Sequence, residues 1–319
     1  MNTKDAATFV LDLPPGLSAA SIFPFQARDP QSICEWGDQT RLLKGLIIGG
    51  RPVLLELTAV RPARVVGRAP IVPSPCTDDV AGTARVTLGA AAERIARRLL
   101  GFAPDPAPFE AAVARDPRFA PLRPLVAARS GLRIPQTATV WEGLAWAIIG
   151  QQINLSFAFQ LRRELVRLAG RPLGVVNPHG EQLYAFPAPA AVAALDYADL
   201  QQRKYSRRKA EYLIDTARLI AAGELPCEEL PDLPPAEVER RLLAVRGIGP
   251  WSANYVALRA CAFPDCVPVG DTGLSSGLQR LFALGHRPGP DETRALMAPF
   301  APYRSFVTFH LWRMGGGGA

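Results

Sequence analysis

Apolar and polar positions change their rhythm along this chain, from short branched runs near the start to a helical period later. Over residues 41–60, RLLKGLIIGGRPVLLELTAV, two branched apolar runs flank Gly49 and Gly50. That pattern predicts a β-hairpin, because glycine accepts the positive φ of tight hairpin turns. Further on, GAAAERIARRLLG (89–101) sets Ile95, Leu99 and Leu100 at helical spacing and closes on glycine, which predicts a helix. Together they predict a small α+β domain, sheet plus helices, over 1–118. The segment 119–135, FAPLRPLVAARSGLRIP, is broken by prolines and is expected to be a connection.

From there the signals are almost all helical, so a mostly α-helical core is expected over 119–314. Thr139 followed by Glu142 fits a capping box, in which hydroxyl and carboxylate reciprocally satisfy free backbone donors, and an apolar run to Ile149 follows. Further helices are predicted at 155–169, 206–222, 235–245, 250–262, 271–284, 291–299 and 304–314 from glycine stops, proline starts and apolar spacing. No solenoid-type repeat is present. The closing GGGGA, 315–319, reads as a flexible tail outside the fold.

Charge narrows the partners without naming one. The 319 residues carry a net +7 and a pI of about 9.5, a balance that favours a polyanion. Only Lys4, Lys44, Lys204 and Lys209 are lysines, so the positive charge is nearly all arginine, which forks onto phosphate oxygens and stacks on flat rings. That mix suits nucleic acid, although an Ala-, Pro- and Arg-rich coding bias explains it equally well. Cys34, Cys76, Cys227, Cys261 and Cys266 are odd in number and scattered, which argues for reduced, mostly buried thiols rather than disulfides or a zinc site. His179, His286 and His310 are too isolated to suggest a metal site, and His310 is expected to pack within its helix. The polar start and the lack of a long apolar run predict a cytoplasmic protein with no membrane partner.

The stretch RGIGPWSANY, 246–255, carries the first chemical signal. A helix ending near 245, the turn Gly247, Ile248 and Gly249, and a new helix opened by Pro250 make a helix–hairpin–helix. The glycines let the backbone bend sharply and approach another surface, while Ile248 plugs the space between the helices. The free amides of the turn and helix start, including that of Ser252, then offer a place for an anionic oxygen such as a DNA phosphate. A plain helix corner gives the same short pattern.

The wider context resembles the helix–hairpin–helix (HhH-GPD) DNA glycosylases, most closely the DNA-3-methyladenine glycosylase II branch. The matching stretches are LLAVRGIGPWSANYVALRA (242–260), VPVGDTGL (267–274) and APYRSFVTFHLWR (301–313). WEGLAWAIIGQQI (141–153) and RKAEYLIDTARLIAAGELP (208–226) match more weakly. The resemblance implies a helical glycosylase core preceded by a small sheet domain, acting as a monomer on duplex DNA that contains damaged bases.

By that resemblance Asp271, 24 residues after Gly247 (271 − 247), is the catalytic carboxylate. Cleaving an N-glycosidic bond builds positive charge on the sugar, and a fixed anion stabilises it and can orient a water. Aspartate is also a favoured helix N-cap, and the two roles are compatible. Asp265 reads as an ordinary loop acid. Trp251 stands where some members carry a nucleophilic lysine, which implies a monofunctional, water-using enzyme. Trp251, Tyr255 and Tyr303 match the family's pocket aromatics, Tyr303 replacing a tryptophan of close relatives, with core packing as the alternative. Gln151 falls in the segment that reaches the pocket, and Gln152 sits at the wedge position, where relatives often have an apolar residue.

Arg207, Arg208 and Lys209 lie in a basic run that contacts phosphate or is simply a solvated helix start. The resemblance further implies a structural Na+ or K+ on the hairpin carbonyls of Leu243, Val245 and Gly247, and no other cofactor is expected. No cysteine follows Cys266, so the C-terminal four-cysteine iron–sulfur loop of some relatives cannot be built. The resemblance implies excision of alkylated bases from duplex DNA as the main function; the alternatives are excision of deaminated or oxidised bases, and damaged-DNA binding without cleavage, against which Asp271 and the pocket aromatics argue.

Overall fold

The computed structural model describes residues 6–61, 63–70 and 82–314; the first five residues, Cys76 and the closing GGGGA lie outside the described residues. Strand β1 (Ala6–Asp12) leads to helix α1 (Ala19–Gln26), strands β2 (Glu35–Gly37), β3 (Arg41–Ile48), β4 (Arg51–Arg61) and β5 (Arg64–Pro70), and helix α2 (Gly82–Leu99). Helices α3 (Ala107–Arg115), α4 (Arg123–Ala127), α5 (Val140–Gly150) and α6 (Leu155–Ala169) precede strands β6 (Arg171–Val176) and β7 (Gln182–Ala185). The remainder is helical: α7 (Pro189–Ala193), α8 (Tyr197–Gln201), α9 (Arg207–Ala221), α10 (Pro235–Leu243), α11 (Pro250–Arg259), α12 (Thr272–Leu281), α13 (Pro290–Met297) and α14 (Arg304–Met314). The α+β start and mostly helical remainder agree with the expected fold class.

Local signals place many of these elements. Gly49 and Gly50, at φ +56° and +75°, turn β3 into β4 as predicted. Asn154 and Ser206 each cap a helix through a side-chain oxygen. Thr139 forms one half of its capping box, its Oγ1 accepting from the Glu142 N–H at 3.0 Å. The other free amides of α5 go elsewhere: Val140 and Trp141 donate to the two carboxylate oxygens of Glu228 at 3.0 Å each. The segment 119–135 is not a plain connection, since it holds the end of a 3-10 helix (117–122) and α4. Pro124 is tolerated because it occupies a first-turn position of α4, where no intrahelical donor is required, while Pro121 lies inside the 3-10 helix.

The expected boundary near residue 118 is replaced by a discontinuous division. One compact unit gathers the described residues of 1–14, 18–100 and 152–225; the other gathers those of 15–17, 101–151 and 226–319. The reason lies in the first unit's antiparallel sheet, ordered β1-β5-β4-β3-β2. Successive strand residues face opposite sides, so the unbroken buried run Leu42 to Leu46 on β3 needs cover on both. Leu173, Leu183 and Ala185 of the β6–β7 hairpin cover Leu43 and Leu54 on one side. Gly45 permits the close approach, because a Cβ there would collide with the Tyr184 carbonyl. The hairpin's backbone is tied in as well, Tyr184 N–H donating to the Ile33 carbonyl at 2.7 Å. The alternation in 171–185 is short and polar-flanked, so it gave no strand signal.

The same unit buries an ion network. Glu35 and Lys44 face each other across β2 and β3, 2.8 Å apart, and Arg162 of α6 adds bonds of 2.7 and 3.0 Å to the Glu35 carboxylate. Burial alone would raise the Glu35 carboxyl, but the Arg162 and Lys44 charges hold it well below the usual carboxylate range. Cys34, Cys227, Cys261 and Cys266 are buried free thiols, as expected, and burial pushes Cys266 up to about 12. No helix among the described residues is long and apolar enough to cross a membrane.

Candidate active site

The site forms within the helical unit, around the start of α12. Pro268 to Asp271 closes a turn, the Asp271 N–H donating to the Pro268 carbonyl at 3.0 Å with Gly270 at φ +93°. This is type II geometry, whose third residue requires positive φ. Asp271 then caps α12, its Oδ1 accepting from the Leu274 N–H at 2.8 Å. The same carboxylate accepts from two indoles: Trp312 Nε1 at 2.8 Å to Oδ1, and Trp251 Nε1 at 3.3 Å to Oδ2. No Lys or Arg among the described residues pairs with it. Asp271 is half-buried, so neutral N–H donors hold its carboxylate while one flank stays open.

Two glycines bring Trp312 there. On α12, a Cβ at Gly277 would lie 2.6 Å from the Leu311 Cβ, and one at Gly273 would lie 2.9 Å from Trp312 Cδ1 and 3.1 Å from Asp271 Oδ1. Spaced four residues apart, they face the same side of α12 and let α14 pack against it closely. Sequence reasoning missed Trp312, although it falls in a quoted stretch. A signal existed: α14 is buried on nearly all sides, and a buried indole N–H seeks an acceptor.

The indoles belong to an aromatic ladder. Trp251 stacks on Tyr255 with centroids 5.4 Å apart and planes at 28°, and Tyr255 lies 6.0 Å from Trp312. Tyr303 has different ring neighbours. It lies 6.0 Å from Phe109 and 6.2 Å from Phe119, in the cluster where Phe109 also stacks on Phe306 at 5.2 Å. Buried His310 packs against that cluster too, as expected within its helix; burial, with Arg129 nearby, lowers it to about 4. Asp265 is an ion-pair partner, holding the Arg304 guanidinium at 2.6 and 2.7 Å.

The hairpin forms between α10 and α11. Gly247 takes φ +92°, Ile248 is buried, and Pro250 opens α11. A Cβ at Gly249 would meet nothing within 4 Å, so the backbone is open to an approaching surface. Helix geometry leaves the Gly249, Trp251 and Ser252 amides without intrahelical acceptors. Gln151 joins this hairpin: its Nε2 donates to the Gly247 carbonyl at 2.8 Å and to Ser252 Oγ at 3.0 Å. Its donor is therefore spent on the hairpin rather than turned toward a pocket. Of the carbonyls expected to hold a cation, Val245 accepts from Ile248 N–H at 3.0 Å and Gly247 from Gln151, each keeping a second lone pair. Leu243 is exposed.

The remaining expected residues sit apart in the chain. Gln152 is exposed at φ +55° in the turn between α5 and α6. Arg207 and Arg208 are exposed at the start of α9, Arg207 pairing with Glu211 at 2.9 Å. Lys209 is half-buried, and burial lowers its ammonium to about 8.

A hairpin with an open backbone, followed by a helix-capping aspartate under indole donors, defines a class. Residues 145–302 match the HhH-GPD superfamily of base excision DNA repair proteins, and the chain belongs to that superfamily. It is 37% identical over 184 residues to a DNA-3-methyladenine glycosylase of Bacillus subtilis, a match covering 58% of this chain and 60% of that protein. The fold is shared with a 3-methyladenine DNA-glycosylase from Archaeoglobus fulgidus at a TM-score of 0.77 and 22% identity, over 96% of this chain and 97% of that one. An 8-oxoguanine glycosylase/lyase of Clostridium acetobutylicum, solved with dsDNA containing cytosine opposite 8-oxoG, shares it at 0.69 and 18% identity, over 98% and 96%.

Proposed function

We propose that this chain is a monofunctional DNA glycosylase that hydrolyses the N-glycosidic bond of alkylated bases of the 3-methyladenine type in duplex DNA. The observation that carries this reading is the Asp271 carboxylate, held by the Trp251 and Trp312 indole N–H groups beside an aromatic ladder. The name of the Bacillus subtilis relative supports the substrate class. Alkylated purines such as 3-methyladenine carry positive charge, and a cation over an indole face gains about 0.5–2 kcal/mol.

In the proposed reaction the damaged nucleotide leaves the stack, and its base lies against the ladder. The bond between C1′ and the base nitrogen breaks, its electron pair leaving with the base, and the positive charge that develops on the sugar faces Asp271. A water attacks C1′ and gives its proton to the carboxylate, leaving an intact abasic strand. No lysine falls in the unit that holds Asp271, so no amine there can form an imine with the sugar.

The Gly249, Trp251 and Ser252 amides at the hairpin are assigned to a DNA phosphate, with Arg207, Arg208 and Lys209 as further backbone contacts and Gln152 at the wedge. The free lone pairs of the hairpin carbonyls suit Na+ or K+, which would stiffen the turn. The test is release of 3-methyladenine, 7-methylguanine and hypoxanthine from duplex DNA, with borohydride trapping in parallel. The reading expects 3-methyladenine release without a trapped adduct. Binding without release, or a robust covalent adduct, overturns it.

A further inference from the structure

A side chain that neither bonds to Asp271 nor belongs to its aromatic ladder joins the hairpin helix to the aspartate's loop. Asn254, half-buried on α11, lies one turn beyond Pro250, and its Nδ2 donates back to the Pro250 carbonyl at 3.1 Å. Its Oδ1 accepts from the Val267 N–H at 3.1 Å. The amide's orientation follows from its partners, because a carbonyl only accepts and a backbone N–H only donates. A weaker contact of 3.5 Å joins Nδ2 to Glu239 of α10.

Val267 opens the short segment that ends at Asp271. Within it the Val269 N–H donates to the Val267 carbonyl at 2.8 Å, and the Asp271 N–H to the Pro268 carbonyl at 3.0 Å. The residue just before, Cys266, donates its N–H to Ser305 Oγ of α14 at 2.9 Å. Two polar side chains thus pin the origin of the loop, Ser305 from α14 and Asn254 from α11. Only Asn254 belongs to the helix whose N-terminus forms the hairpin.

We infer that Asn254 is a positioning residue: it fixes the Asp271 loop to the hairpin helix, so that the backbone amides holding a phosphate and the carboxylate facing the sugar keep a set separation. The separation matters because reaction rates depend steeply on placement, and a shift of about 1 Å can cost on the order of a hundredfold. The hydrogen bond to Val267 N–H is the link, and the bond to Pro250 holds the amide in the rotamer that makes it. This role rests on the glycosylase reading of the site.

The test compares Asn254→Ala with Asn254→Asp, which keeps an oxygen acceptor for the Val267 N–H. Single-turnover release of 3-methyladenine from saturated duplex DNA should fall on the order of 10- to 100-fold in Asn254→Ala. Affinity for duplex carrying an abasic site should stay near wild type, and Asn254→Asp, which keeps the acceptor for Val267 but loses the donor to Pro250, should recover part of the rate. Amide hydrogen exchange across 267–271 should quicken in Asn254→Ala, while α11 and α14 keep their protection. Asn254→Ala at the wild-type rate, Asn254→Asp as slow as Asn254→Ala, or a rate loss matched by an equal loss of DNA affinity would each overturn the assignment. If the wild-type chain releases no base, the glycosylase reading fails, and the exchange measurement still decides whether Asn254 holds the loop. Should Asn254→Ala not fold, Asn254→Asp and its exchange profile carry the test.

Discussion

Glu35 in the sheet unit and Asp271 in the helical unit are both carboxylates held by several donors, yet they are held in opposite ways. Glu35 is buried between Lys44 and Arg162, both cations within hydrogen-bonding distance. Asp271 accepts from the Leu274 backbone and from the Trp251 and Trp312 indoles, all neutral. A carboxylate between two cations is neutralised, and its worth is structural. One oriented by neutral N–H groups keeps its negative charge free to act on a positive centre. The arrangement of partners, more than burial, separates a structural acid from a candidate catalytic one.

The comparison breaks most sharply at Glu35. Glu35→Gln leaves Lys44 and Arg162 uncompensated in the interior, and breaking such a buried pair costs about 3–5 kcal/mol. Urea unfolding should register that loss, while excision per folded molecule stays near wild type. Should the variant be as stable as the parent and slow in excision, the two acids would have exchanged roles.

Asp271→Asn should do the converse. Removing a preorganised electrostatic group costs on the order of 100- to 1000-fold in rate, so excision should nearly vanish while duplex binding persists. Near-normal turnover would remove Asp271 from the chemistry and leave it a helix cap.

Acid should also separate the two units. Buried His310 has its pKa lowered from 6.5 to about 4, so the folded helical unit prefers the neutral ring while the unfolded chain takes up a proton below 6.5. Its stability is therefore fully present above pH 6.5 and is lost as pH falls toward 4, by about 3 kcal/mol at 1.36 kcal/mol per pH unit. Glu35 is shifted downward, so its contribution is present above the usual carboxylate range and fades only below it. Melting curves between pH 7 and 4 should show the helical unit weakening first, and His310→Gln should flatten that dependence. Equal weakening of both units would show that another group governs acid sensitivity.

The smallest effect is expected at Trp312. Trp312→Phe keeps a ring but removes the 2.8 Å donor to Asp271, and a single hydrogen bond of about 1–1.5 kcal/mol corresponds to roughly tenfold in rate. A variant as fast as wild type would mean that Leu274 and Trp251 suffice to hold the carboxylate.

What the sequence determined by itself is local. Paired glycines set the β3–β4 turn, Pro250 started α11, and Thr139 marked a helix start, because turns and caps are satisfied within a few residues. The hairpin was legible for the same reason, whereas Asp271 was singled out through the family resemblance. Tertiary structure decided what depends on distant partners. Trp312 reaches Asp271 across 41 residues, Gln151 reaches Gly247 across 96, and Glu228 serves the amides of α5 from 88 and 87 residues away. The assignment of 152–225 to the sheet unit and the ring neighbours of Tyr303 are of the same kind. Periodicity records which side of an element is buried but not what covers it. That choice is made only when the chain closes and each buried N–H must find an acceptor among the groups the fold brings near.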